Sequence, residues 1–487
     1  MMRTPSISRR TMLSGIAPAL LAGAMRKTSN VERWGMWEQA FSGPQKSEAE
    51  FRAEFRNGNR VLLADGFYEG DSVYRLRFMP DALGEWTFIT HSTAPALNGK
   101  AGKFVCTAPA SGNHGPVVVA DPQHFRYADG TPHVSIGTTC YAWAHQADEL
   151  ERQTLETLKT SPFNKIRMCV LPTEKSPQRV PFEGDDHTRF HIPFFQNLDK
   201  QIAALCALGV EADLILFHPY DHEGFQRMSD AESRRYLRYM VARYAAYRNV
   251  WWSIANEYDL VKTKTLPQWD EYFRIVQKAD PAGHLRSIHY SKRFYDYSKS
   301  WVTHLSLQSD DFDKTGEWLS EFRKPIIFDE CKYEGNINKR WGNLSGHEMA
   351  RRFWLGMASG AYVGHGETYA GPNGNAWLSK GGTLVGESPA RIAFLKKIRE
   401  EAPPDLQVTP DPYYPFVYKP GSYYLYFLDL HQPAEYEFKL PDAESYRADV
   451  IDMWNMTITA VTGVWRGSFT LPLPGKPFQA VGLQRAA

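Results

Sequence analysis

The chain has 487 residues, of which 43% are hydrophobic and 23% charged, and its formal net charge is +1 with no long block of one sign. This balance excludes a disordered chain and gives nothing that favours nucleic acid or a membrane surface as partner. The length accommodates a barrel of about 250 residues with two smaller domains beside it.

In chain order, residues 1–24 read as a twin-arginine export signal. Ser8-Arg9-Arg10-Thr11-Met12-Leu13 leads into an apolar run to Leu21 and the small residues Ala22-Gly23-Ala24, the layout of a charged start, a short apolar core and a cleavage site. The run is shorter than the ~20 residues a spanning helix needs, so a periplasmic or secreted protein without membrane insertion is expected, beginning near Met25. Residues 31–115 alternate apolar and polar over Arg60-Val-Leu-Leu, Ser72-Val-Tyr-Arg-Leu-Arg-Phe and Gly84-Glu-Trp-Thr-Phe-Ile-Thr, with turn residues between. That pattern predicts a β-sandwich. Asn113 to Asp129 reads as the connection to the next domain.

Across 116–402 short apolar runs alternate with amphipathic stretches. Strands are predicted at 134–140, 165–170, 212–217, 250–254, 285–289, 302–307, 325–328 and 361–365. Helical spacing puts Leu198, Ile202 and Leu205 on one face, and Leu237, Met240, Val241 and Tyr244 on another. Eight strands interleaved with helices predict an α/β fold, a (β/α)8 TIM barrel. Two of its connections are long. One runs from Leu171 to Pro193, with Phe182, Asp185, Asp186, His187 and Phe190; the other runs from Gly366 to Gly386, with Tyr369, Trp377 and Lys380. Both fall on the face where barrel loops shape a site. Residues 403–487, with Ser422-Tyr-Tyr-Leu-Tyr-Phe-Leu and Arg447-Ala-Asp-Val-Ile-Asp-Met-Trp, predict a small C-terminal antiparallel β domain packed on the barrel.

The cysteines at 106, 140, 169, 206 and 331 are odd in number and scattered, which argues for buried packing rather than a disulfide or zinc framework. His218-Pro-Tyr-Asp221-His222 has two histidines four apart, but Pro219 and the strand exit indicate a loop rather than a metal-binding helix. No phosphate loop, serine elbow or dinucleotide fingerprint occurs, and no cofactor or metal is expected.

The chemistry concentrates at two strand ends: Val250-Trp-Trp-Ser-Ile-Ala-Asn-Glu257-Tyr and Lys324-Pro-Ile-Ile-Phe-Asp-Glu330-Cys. Two carboxyl groups on one rim of a barrel can protonate a departing acetal oxygen and stabilise or attack the oxocarbenium-like carbon. An Asn-Glu pair ending the fourth strand and a Glu ending the seventh resemble the clan A glycoside hydrolases, the barrel superfamily that includes family 5. Together with Gly84-Glu-Trp and Asp329-Glu330-Cys-Lys-Tyr-Glu-Gly335, they resemble its secreted bacterial members flanked by two domains of unknown function. The resemblance implies that Glu257 is the general acid/base, protonated at rest, and Glu330 the ionised nucleophile. It also implies that Arg167 supports Glu330 and that Asn256 binds a sugar 2-hydroxyl. Family members often carry a tryptophan sugar platform at the eighth strand, where this chain has His365-Gly-Glu367; Trp377 is the expected replacement. Trp143, His218, His289, Tyr290, Gln308, His365 and Glu367 follow other strands and complete the expected substrate contacts. Asp329 is expected to point away from Glu330. The implied function is a retaining, exo-acting hydrolase of a β-glycosidic bond with a carbohydrate substrate; an open-groove endo-glycanase and a non-catalytic carbohydrate-binding barrel are the alternatives.

Overall fold

The computed structural model describes residues 29–45, 49–175, 177–184, 187–371, 374, 376–408 and 413–486. The twin-arginine segment and Asp185 and Asp186 lie outside the described residues.

The central domain is a parallel barrel. Its strands are β1 (Ile136–Thr139), β2 (Lys165–Cys169), β3 (Glu211–Phe217), β4 (Val250–Ala255), β5 (Arg286–Ser287), β6 (Leu305–Gln308), β7 (Ile326–Glu330) and β8 (Tyr362–His365). Each pairs with its neighbour in sequence, and β8 pairs with β1. A parallel bridge between His289 and Ser306 closes the ring between β5 and β6. Helices α1 (Asp148–Thr160), α2 (Ile192–Ala207), α3 (Asp230–Tyr244), α4 (Leu266–Ala279), α5 (Thr315–Phe322) and α6 (Gly346–Ala358) surround it. The short α7 (Trp377–Lys380) and then α8 (Ser388–Glu401) follow β8. The predicted apolar faces are the buried ones, with Leu198, Ile202, Leu205, Leu237, Met240, Val241 and Tyr244 all fully enclosed.

One departure from regular alternation lies between β5 and β6, where residues 288–304 form turns rather than a helix. Aromatic side chains fill the space a helix would take: Phe294 packs on Tyr290, Tyr297, Trp318 and Phe322. The stretch predicted as a simple connection is also built differently. Val117–Val119, Phe125–Tyr127 and Pro132–His133 form a three-stranded sheet. Phe125 inserts among Trp251, His304 and Tyr362, which sit at the N-terminal ends of their strands, so this sheet plugs the barrel floor.

The N-terminal sandwich pairs a five-stranded sheet with a three-stranded one. Strand Gly84–Ser92 shows the alternation that builds it: Trp86, Phe88 and Thr90 are buried while Thr87, Ile89 and His91 face water. Its join to the barrel is ionic. Arg77 meets Asp199 at 2.8 Å and Arg243 meets Glu69 at 2.6 Å, both guanidinium groups lying near the Phe67 ring. The C-terminal domain has a six-stranded and a two-stranded antiparallel sheet. It packs on α6 through Trp354 against Phe427 and through His347 stacked on Trp454. The five cysteines are free thiols, and only Cys206 is not fully buried.

Candidate active site

Glu257 and Glu330 arrive at one rim because both stand at the C-terminal ends of strands of one closed sheet, β4 and β7. Glu257 follows β4, where the chain turns out of the strand with a left-handed backbone at φ 43°. That conformation is uncommon for a residue with a Cβ and is held only where surroundings over-determine it. Glu330 is the last residue of β7. Both are nearly enclosed, at 8% and 6% exposure.

The polar contacts form a continuous set. Gln308, ending β6, donates from one nitrogen to Glu257 Oε1 at 3.1 Å and to Glu330 Oε2 at 3.2 Å. Tyr220 donates to Glu257 Oε2 at 2.6 Å and accepts from Asn256 Nδ2 at 2.9 Å. Asn256 Oδ1 in turn accepts from Arg167 Nη2 at 2.9 Å. Around Glu330 Oε1 converge the Tyr141 hydroxyl, which donates to it, Arg167 Nη1 at 3.4 Å and His289 Nε2 at 3.4 Å. Burial pushes the Glu330 carboxyl up, but the charge and contact of His289, the Arg167 guanidinium and the Tyr141 hydroxyl outweigh it and hold the group down at about 2.

A second ionic layer supports this one. Lys165 binds Asp329 at 2.7 Å and Asp213 at 3.0 Å, and Ser306 donates to Asp329 at 2.5 Å. Asp329 is thus spent inside the barrel, pointing away from Glu330 as alternation along a strand requires. Buried charges of this kind are tolerated only when paired.

Above the carboxylates opens a cavity of about 730 Å³, within the ~300–1,000 Å³ of small-molecule sites. Tyr141, Tyr220 and Tyr333 wall it near the carboxylates, and Asp310, Lys332 and Trp341 line it as well.

Comparison with known proteins fits this geometry. Residues 120–379, more than half of the chain, match the family described as "Apiosidase-like, catalytic domain". The chain belongs to the apiosidase-like glycoside hydrolases. Flanking segments match two domains of unknown function, DUF5060 at 30–93 and DUF5605 at 413–484. The apiosidase-like chain is also similar to the crystal structure of a candidate glycoside hydrolase from Bacteroides vulgatus ATCC 8482. The identity is 35%, the match covers 94% of this chain and 100% of that one, and the TM-score is 0.90. A family 5 glycoside hydrolase structure from the same organism shares the fold at 15% identity, with 76% and 94% of the chains covered and a TM-score of 0.62. Comparison with curated proteins finds no match.

Not every expected contact of this apiosidase-like site is brought together. Arg167, Asn256, His289 and Gln308 reach the two glutamates. His218 stands one step behind: its Nε2 bonds the Leu171 carbonyl at 2.8 Å and its Nδ1 takes the Tyr220 N–H at 3.1 Å. Both nitrogens are therefore engaged, and the ring stacks on Tyr220. Tyr290 packs on Phe294 outside the cavity lining. Trp143 is fully buried in the barrel core.

Three expected contacts at and after β8 turn away from the cavity, although Leu378 and Ser379 line it. His365 stacks on Phe163 and meets the Thr138 hydroxyl at 3.1 Å. Trp377, expected as the platform, is fully buried and donates its Nε1–H to the same hydroxyl at 2.8 Å. Glu367 accepts the Val385 and Gly386 N–H groups at 2.5 and 2.8 Å, and Glu334 accepts those of Glu387 and Ser388. These carboxylates fasten the start of α8, and a Cβ on Gly386 would stand 2.5 Å from Glu334 Oε2 and 2.6 Å from Glu367 Oε2. Glu334, His365 and Glu367 bring ligand atoms within 4.8 Å of one another, as do Asp121, His124 and Asp405, but neither group lines the cavity.

Tyr141, Tyr220, Asp310, Lys332 and Tyr333 escaped sequence reasoning although each lies two or three residues past a strand end. Position alone was the available signal. Trp341, eleven residues into the connection after β7, carried none.

Proposed function

We propose that this glycoside hydrolase is retaining, acts on a β-linkage and removes terminal sugar units. Glu257 gives its proton to the departing oxygen while Glu330 attacks the anomeric carbon and forms a glycosyl-enzyme. Glu257 then takes a proton from water, which displaces Glu330 and releases the sugar with its starting configuration. One observation carries the reading: the contacts of 3.1 and 3.2 Å to the single Gln308 nitrogen cap the separation of the two carboxylate oxygens at their sum. Bridging of both carboxylates by one amide nitrogen suits the ~5–5.5 Å spacing of a retaining pair better than the ~6.5–9.5 Å an inverting pair needs to admit water. The low Glu330 value supports a nucleophile ionised at working pH. Asn256, fixed by Arg167 and Tyr220, suits a hydrogen bond to the sugar 2-hydroxyl that strengthens as charge develops.

Terminal action is favoured by the cavity walls, since Thr173 after β2 and Leu378 and Ser379 after β8 line the cavity, and Lys380 ties the two loops together through Glu174 at 2.9 Å. The twin-arginine signature supports work in the periplasm or outside the cell. The family name makes an aryl β-apioside the first substrate to try, within a panel of aryl glycosides of other sugars. Early NMR of the released anomer is expected to show retention; inversion refutes the nucleophile role. A ladder of oligomers from a polymer would indicate endo action, and turnover of no glycoside would indicate a binding protein.

A further inference from the structure

Of the fourteen tryptophans in the chain, all of them described, Trp341 alone is exposed, at 48%. It lines the cavity that holds the two glutamates, so its exposure is local to the site rather than scattered over the surface. The segment carrying it is pinned. The Tyr333 N–H bonds the Trp341 carbonyl at 2.8 Å, the Leu344 N–H bonds the Tyr333 carbonyl at 3.0 Å, and the Thr368 hydroxyl bonds the Gly342 carbonyl at 2.6 Å. The Tyr333 ring meets the indole nearly at right angles.

Beside it, Lys332 has a left-handed backbone at φ 68°, an uncommon conformation that tends to be retained where a side chain must be aimed. Its ammonium meets Asp310 at 2.6 Å, and Asp310 also accepts from Arg352 Nη2 at 3.2 Å. Lys332 and Asp310 remain partly exposed, at 42% and 38% of their side chains. A carboxylate has about four acceptor positions and an ammonium three donors, so both keep capacity for hydroxyl groups.

A broad apolar ring flanked by a fixed acceptor and a fixed donor is complementary to a sugar, whose C–H face is apolar and whose rim is hydroxylated. The negative face of an indole attracts the weakly positive C–H bonds. Burial separates the two parts of the cavity: the glutamates are enclosed, whereas Trp341, Lys332 and Asp310 stand open to solvent. On the terminal-acting reading above, the reacting sugar fills the enclosed part, so the open part receives what lies beyond the bond being cut.

We propose that Trp341, Lys332 and Asp310 form a second carbohydrate subsite, which holds the leaving group as a sugar. The natural substrate is then an oligosaccharide or glycan end, not a simple alkyl glycoside. This rests on the retaining reading above, because it assigns the leaving-group side of a glycosyl-enzyme.

The test uses the full chain and the glycosyl fluoride of whichever sugar the aryl panel releases, since fluoride occupies no second subsite. Hydrolysis is measured alone and then with methyl α- and β-glycosides of glucose, galactose, xylose and rhamnose as acceptors, with transfer products quantified by mass spectrometry. Wild type is expected to give saturable transfer to at least one acceptor. In Trp341→Ala transfer falls about tenfold while fluoride hydrolysis falls by no more than about threefold, a stacking-sized effect. Asp310→Asn, with the fold checked by circular dichroism, lowers transfer in the same direction. Equal losses in the two reactions, or no saturable acceptor in an active wild type, overturn the subsite while leaving the hydrolase reading intact. Failure to turn over any glycosyl fluoride overturns both.

Discussion

Replacing Tyr141 by Phe removes one hydroxyl and little else. The ring keeps its place against Tyr220, 5.8 Å between centroids, while Glu330 Oε1 loses one of its donors. A hydrogen bond to a buried charged group is worth about 1.5–3 kcal/mol, which at 1.36 kcal/mol per unit raises the Glu330 pKa by roughly 1–2 units. Starting from about 2, the acid limb of kcat/KM is expected to move to about 3–4, because the nucleophile must be ionised and is lost as pH falls through its folded value. The same shift appears in stability. A carboxyl whose folded pKa is depressed contributes fully above its ordinary value near 4.5 and loses that contribution as pH falls towards 2. In wild type the contribution is about 3 kcal/mol, and in Tyr141→Phe it shrinks by the strength of the lost bond. Rates on an active aryl glycoside between pH 2.5 and 7, with urea unfolding at matched pH, read both quantities. An acid limb that stays put or moves down refutes the assignment of that limb to Glu330.

Glu257→Ala is expected to lower kcat/KM on an aryl glycoside with a poor leaving group by about 10²–10⁴, and much less on a glycosyl fluoride that needs no proton; equal losses on the two substrates would count against the acid role. Glu367 is pushed up to about 7 by burial, against the N–H groups of Val385 and Gly386 and with help from Glu334. Its folded form holds a proton that the unfolded chain releases, so stability falls by about 3 kcal/mol as pH rises from 4.5 through 7. Glu367→Gln should flatten that slope in urea unfolding and exceed wild type at pH 9 but not at pH 5; parallel curves would show that the carboxyl is ionised throughout. Phe125→Ala, which empties the barrel floor, is expected to cost about 3–5 kcal/mol while leaving kcat/KM at 20 °C within about twofold, and a thermal scan with a rate measurement checks both.

Much of the barrel was legible because buried parallel strands read as short apolar runs and their flanking helices show a 3.6-residue period. Glu257 and Glu330 were legible for the same reason: a charged residue ending an apolar run must stand at the rim. Where side chains are placed by long-range packing, this logic stopped. Trp377 looks like a sugar platform and Trp143 like a substrate contact by position, yet one is drawn into a hydrogen bond with Thr138 and the other into the barrel core. Glu367 follows β8 as an active-site residue could, but the backbone at 385–388 claims it. Trp341 takes the exposed position because the hydrogen bonds of its own connection hold it there, and nothing in the local sequence encodes them. The missing helix between β5 and β6 was hidden because aromatic residues over 288–304 satisfy burial without helical repetition.

As nucleophile, Glu330 must form a covalent bond to sugar. Incubation with an activated 2-deoxy-2-fluoro glycoside of the cleaved sugar, followed by intact-mass and peptide mass spectrometry, tests it directly. The expected result is a single added glycosyl unit on the peptide containing Asp329-Glu330-Cys331, with activity lost in proportion and no label in Glu330→Gln. A label on another carboxylate, or time-dependent turnover of a good substrate with no trapped intermediate, would contradict it.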